Sequence, residues 1–174
     1  MKKWITLLAL FCVSLSAMAQ AKLLNKRLTA TITTQTMDSL LKVQHVPHRL
    51  APVRFDVEVW DVEYQTRWVD GTPIMASGLV MLPKGSQAAM PIVAYAHGTR
   101  LHRAREYKMG GEEAICTYFA ADGYAVAMPD YIGLGYGEKF HLYQQYKSLG
   151  QASVDFLFAA RELNDSLGIK ANGQ

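Results

Sequence analysis

The sequence predicts an α/β fold in which long antiparallel strands lead into a parallel sheet flanked by helices, and three observations predict it. Val53, Phe55, Val57 and Val59 alternate with Arg54, Asp56 and Glu58, the period of a half-buried strand, and a second apolar run, "PIMASGLVMLP", follows an Asp70-Gly71 turn signal. Two short, continuously apolar runs, "IVAYA" and "YAVAMPD", are separated by a helix-like stretch. Strands buried on both faces read this way, and the strand-helix-strand order makes them parallel. Ala152, Phe156, Ala159, Ala160 and Leu163 then recur at helical spacing, an apolar stripe suited to cover a sheet.

With 174 residues, half of them apolar, the chain can bury the core of one domain. Its first residues, "MKKWITLLALFCVSLSAMAQ", carry two lysines, an apolar stretch from Trp4 to Leu15 and a small-x-small site at Ala17-Met18-Ala19, which predicts a signal peptide over residues 1–19 cut after Ala19. The protein is therefore expected to be exported, to the periplasm or beyond. The apolar stretch is shorter than the roughly 20 residues of a bilayer span, so no stable membrane span is expected after cleavage. Cys12 follows the bulky Phe11, which argues against a lipid anchor at that position. Cleavage removes Lys2 and Lys3, which reduces the formal charge of +3 to +1, too little to call for a nucleic-acid partner, and removes Cys12, which leaves Cys116 without a partner for an intramolecular disulfide.

Residues 20–52 form a weakly patterned, polar lead-in segment with one short helix expected around Thr36 to Gln44. The domain proper is residues 53–174. From Trp60 the apolar positions become Trp60, Val62 and Tyr64. This shift of phase predicts a β-bulge or bend between Val59 and Trp60. The helix "GEEAICTYFAADG" has acidic residues in its first turn and Gly123 placed to end it. A glycine-rich loop, "YIGLGYGE", follows the second short strand. Ser148 and Gln151 read as the capping box of the last helix, which should end near Gly168. After it the chain reads "IKANGQ", with no strand pattern where a right-handed crossover would place one, so a truncated unit is expected.

The motifs "YAHGT" at 95–99, "GYAVAMPDYIGLG" at 123–135 and "SVDFLFAAREL" at 153–163 resemble the α/β-hydrolase family, and within it the secreted lipases and esterases. The resemblance covers Val53 to Gln174 and implies the N-terminal part of an α/β-hydrolase fold. In that family the loop after the His-Gly strand supplies part of an oxyanion hole. Carried over by motif, the donor is the backbone N–H of Thr99, with Gly98 and His97 positioning it. Gly98, lacking a Cβ, would let the chain turn sharply at the strand's end. Asp130 precedes any nucleophile position, whereas the family's acid follows it, so Asp130, Gly133 and Gly135 read as a structural turn. Asp130 is expected to accept backbone N–H bonds there. Gly133, Gly135 and Gly137 match neither the dinucleotide fingerprint nor the P-loop. His97, His102 and His141 lack the spacing and the further ligand of a zinc site. No cofactor and no metal are expected.

A serine hydrolase of this family needs its nucleophile on a G-x-S-x-G elbow, which the sequence does not contain. Lys84-Gly85-Ser86-Gln87-Ala88 fails at the second glycine, and Ser148 and Ser153 belong to the last helix. The expectation is the N-terminal fragment of an exported serine ester hydrolase. No catalytic residue lies in this chain, and nucleophile, acid and base are expected downstream. The substrate of the intact protein would be a small-molecule ester or a lipid, and the chain alone would be inactive. The alternative expectation is a non-catalytic envelope binding module that keeps half a hydrolase scaffold.

Overall fold

The computed structural model describes residues 22–103 and 106–173, so the expected signal peptide lies outside the described residues. Eight elements follow in order: β1 (Leu23–Ile32), α1 (Thr34–Val43), β2 (Val57–Arg67), β3 (Pro73–Pro83), β4 (Ile92–Ala94), α2 (Gly111–Asp122), β5 (Ala125–Pro129) and α3 (Tyr146–Ser166). They build one mixed sheet with strand order β1-β2-β3-β5-β4. The first three strands and β5 pair antiparallel, and β4 joins β5 in parallel. Antiparallel strands therefore lead into a parallel pair, as the sequence predicts.

Helices cover both faces of the sheet. On one, Phe156, Ala159, Ala160 and Leu163 of α3 pack on Val62, Tyr64, Val80 and Ala127. On the other, Cys116, Ala120 and Ala121 of α2 and Met37 of α1 pack on Val57, Val59, Met81 and Val126. This two-sided burial explains the change of phase in β2. Val57 and Val59 face α1 and α2, whereas Trp60, Val62 and Tyr64 face α3, and β2 pairs with β3 without a shift from Val57 to Arg67. The expected bulge is thus absent from β2 itself. It sits opposite, in β1, where Leu28 pairs with Trp60 and Ala30 with Val59, leaving Thr29 as the extra residue.

β1 is the strand that the polar composition of residues 20–52 conceals. It is an edge strand, mostly exposed, whose Lys26, Arg27, Thr29 and Thr31 suit a solvated ladder position. The helix expected around Thr36 to Gln44 is α1, capped by the Thr33 hydroxyl, which accepts from Thr36 N–H. α2 ends at Gly123, whose φ of 115° no other residue adopts readily.

α3 begins earlier than the S-x-x-Q reading placed it. Gln145 is the cap, its Oε1 accepting from Ser148 N–H at 2.6 Å, and the Gln151 amide donates instead to Asp155 Oδ1. The helix ends as expected, with Ile169 N–H bonded to Asn164 O just past Gly168. Residues 170–172 are not patternless coil. Met90 N–H donates to Lys170 O and Asn172 N–H to Met90 O, a parallel bridge Met90↔Ala171 beside β4. No helix among the described residues is long and apolar enough to cross a membrane.

Candidate functional site

β4 and β5 run in parallel and deliver two loops to the same carboxyl edge of the sheet, the edge at which open α/β sheets bind ligands. The loop after β4 carries His97-Gly98-Thr99-Arg100. The loop after β5 carries Asp130, Tyr131 and the glycine turn.

The first of these loops is pinned at four points. His97 is buried, with Nδ1 2.7 Å from Gly98 O and Nε2 3.2 Å from Asp130 O, and its ring lies against Tyr131 at a centroid distance of 4.4 Å. Gly98 N–H donates to Glu112 Oε1 at 2.8 Å. The Thr99 hydroxyl shares a 3.1 Å hydrogen bond with the Tyr143 hydroxyl. Arg100 reaches inward, Nη2 to Glu113 Oε1 at 2.6 Å and Nη1 to Asp130 Oδ1 at 3.7 Å. Between these anchors the Thr99 N–H makes no hydrogen bond within the described residues.

Gly98 does not position this loop by steric need. Its φ lies outside the left-handed region, and an added Cβ would meet only Glu112 Oε1, at an ordinary 3.5 Å. The obligatory glycines are in the other loop. Gly133 and Gly135 have φ of 82° and 55°. A Cβ on Gly133 would overlap the backbone of Phe140 and His141, and one on Gly135 would overlap Asp130 Oδ2 and Ser77 Oγ.

The turn closes around Asp130, whose carboxylate is bonded, among the described residues, by the Ser77 hydroxyl. Ser77 Oγ–H donates to Asp130 Oδ2 at 2.7 Å, and that same oxygen of Ser77 accepts from Tyr136 N–H at 2.8 Å. The hydroxyl of β3 thus relays between the turn backbone and the acid. Burial pushes the Asp130 carboxyl above its ordinary value, opposed by the Ser77 hydrogen bond and by Arg100. Tyr131, next along, takes a φ of 69°, a conformation that strains a bulky side chain.

Gly98, Thr99, Tyr131, His141 and Tyr143 line a shallow cleft of about 210 Å³. His97 and His141 both border it, each against the ring of Tyr131, whereas His102 is not among the lining residues. Sequence reasoning singled out His97, Thr99 and Asp130 but missed Arg100, Glu112, Glu113 and Ser77. The two glutamates registered only as first-turn charges of α2, and nothing in their spacing pointed to a loop ten or more residues away.

Other candidates for a nucleophile are accounted for locally. Ser148 Oγ–H donates to Gln145 O and Ser153 Oγ–H to Leu149 O, and among the described residues no serine hydroxyl bonds a histidine ring. Cys116 lies on the buried face of α2, where burial pushes its thiol up to about 12, far from a reactive thiolate.

No protein-family model and no curated protein matches the chain. Solved structures do. A candidate hydrolase from Legionella pneumophila is 33% identical and superposes with a TM-score of 0.73 over 87% of this chain and 42% of its own. The rice cell wall degrading esterase LipA from Xanthomonas oryzae is 25% identical, with a TM-score of 0.74 over 90% of this chain and 41% of its own. A ligand-bound form of that esterase gives 27% identity and a TM-score of 0.73. The chain thus spans about two fifths of the length of these structures.

Proposed function

We infer that this chain, which belongs to the α/β-hydrolases and forms the N-terminal portion of that fold, contributes one donor of the oxyanion hole in an exported ester hydrolase. The observation that carries this reading is the unspent Thr99 N–H. Its neighbour Gly98 N–H is consumed by Glu112, while His97, Arg100 and the Thr99 hydroxyl hold the loop from both sides. A donor fixed before the substrate arrives needs no reorganisation when negative charge develops on the carbonyl oxygen, which is why such donors lower barriers.

In this mechanism a serine of the whole protein attacks the ester carbonyl, a histidine takes its proton and passes it to the leaving alcohol, and an acid orients the histidine. This chain's part is to bind the oxyanion and to wall the cleft. The partners of Asp130, the Ser77 hydroxyl and Arg100, support a structural part for it rather than the acid's role.

The experiment compares Thr99→Pro with Thr99→Ala in the whole protein acting on a chromogenic ester. Proline removes the N–H and alanine keeps it. The proline variant is expected to lose about 100- to 1000-fold in kcat, as other single oxyanion donors do, with folding verified by circular dichroism. A folded proline variant that turns over as fast as the alanine variant sinks the reading. Export rests on the composition of residues 1–19, and N-terminal sequencing of secreted material is expected to begin at Gln20. Recovery of Met1 on the exported protein would show the segment uncleaved.

A further inference from the structure

The cleft beside Thr99 is walled by rings that oxyanion binding leaves unused. Tyr131 and His141 lie within 19° of parallel, with centroids 6.5 Å apart, and His141 meets Tyr143 at 6.3 Å and 62°. Tyr143 is 57% exposed although its hydroxyl is tied to Thr99, so its ring stands at the cleft rather than in the core. The backbone that presents these rings is constrained. Tyr131 and Gln144 both hold left-handed φ values, 69° and 57°, and strain of this kind gathers at ligand clamps. Arg103 donates to Gly137 O and to Lys139 O, fastening the ring-bearing loop to the His-Gly loop.

Size and polarity narrow the occupant. An apolar cavity of about 150 Å³ holds one benzene, so about 210 Å³ suits a single ring with an ester attached. Of the wall's polar groups, the Thr99 N–H and the Gln144 side chain make no hydrogen bond among the described residues, and most of the others are spent. Both ring nitrogens of His97 face carbonyl oxygens, His141 Nδ1 lies 3.0 Å from Ile132 O, and the Thr99 and Tyr143 hydroxyls bond each other. A sugar ring would find the Thr99 N–H and the Gln144 amide but few further partners for its several hydroxyls. A planar aryl group needs only faces and edges to pack against.

We propose that this cleft binds a single planar aryl group of the ester substrate. The inference rests on the reading of Thr99 as the carbonyl donor, because the Thr99–Tyr143 bond sets the ring wall directly beside that N–H.

The test titrates the full chain with methyl benzoate, methyl hexanoate and methyl glucoside and follows the protein by two-dimensional NMR. Methyl benzoate is expected to bind with a dissociation constant on the order of 1 mM, as its ten heavy atoms allow, and to give intermolecular NOEs to the rings of Tyr143 and His141. Tyr143→Leu should weaken it at least fivefold, while Tyr143→Phe, which keeps the ring and loses only the hydroxyl bond to Thr99, should weaken it by a smaller factor. His141→Ala serves as a second wall variant if the leucine variant loses its dispersed spectrum. Equal or tighter binding of the hexanoate or the glucoside at these rings, or no saturable NOE from the benzoate, overturns the proposal. Ring NOEs from the benzoate uphold the aryl site, and the Thr99→Pro turnover comparison decides the donor separately, whereas loss of turnover in Thr99→Pro with no ring NOE upholds the donor and refutes the aryl site.

Discussion

Exchange of Arg100 for methionine is expected to destabilise the fold by about 1 to 3 kcal/mol at neutral pH, between the small worth of an exposed ion pair and the larger cost of breaking a fully buried one. The Arg100 side chain is 16% exposed, and the two carboxylates it serves, Glu113 and Asp130, are 21% and 13% exposed. Methionine keeps the apolar stem but leaves both acids unpaired. The loss carries a pH signature through Asp130. Burial already holds this carboxyl above its ordinary value in the native state. Between the ordinary value, near 4, and the raised one, the native state binds more protons than the unfolded chain, so stability falls as pH rises through that interval. Removing Arg100 removes one of the influences that lower the native value and widens the interval upward. Urea denaturation at pH 4 and pH 8 measures this, and the deficit of the methionine variant should be smallest at pH 4. An equal deficit at both pH values would mean that Asp130 is not the acid left uncompensated. Replacing all three charged groups by apolar residues of similar size would cost far less. The arrangement also fixes the residue after Thr99 to the start of α2 and to the loop after β5 at once.

The sequence made this part of the molecule half legible. The strand ending in His-Gly, the parallel partner ending in Pro-Asp and the apolar stripe of α3 all rest on periodicity and turn chemistry, which are local and survive in the fold. β1 escaped because an edge strand with one neighbour is built largely from polar residues, the same composition as a loop. The phase change in β2 was visible, but its cause was not. Two explanations, an extra residue or burial on both faces, leave the same pattern in one strand, and only the neighbouring helices distinguish them. The glycines carry a similar lesson. Gly98 drew attention through its motif, yet the steric requirement falls on Gly133 and Gly135, whose neighbours Phe140, His141 and Ser77 are brought in by the fold. Arg100 with Glu113, and Gly98 with Glu112, are contacts across thirteen and fourteen residues between a loop and a helix start. No periodicity encodes such contacts.

Phe156→Ala is expected to cost about 3 to 5 kcal/mol, the range for emptying the site of a buried phenylalanine. The ring is fully buried, lies 5.1 Å from the ring of Tyr64 with the planes tilted by 55°, and sits over Gly78 of β3. Close approach of the ring to the sheet depends on that glycine, because a Cβ at position 78 would come within 2.6 Å of Phe156 Cζ and 2.7 Å of Met128 O. The two obstacles differ in kind. A side chain can be removed, but the carbonyl of β5 cannot. Gly78→Ala should therefore be destabilising in the native background, and less so once Phe156 is alanine, while a residual loss from the Met128 carbonyl persists. The coupling between the two sites, read from a double-mutant cycle of urea denaturation, is expected to fall within about 0.5 to 3 kcal/mol. Additive losses would mean that α3 slides to relieve the clash. In that case the Met90↔Ala171 bridge, which follows directly from the end of α3, should be lost in Gly78→Ala, visible as faster amide exchange at Met90 and Asn172.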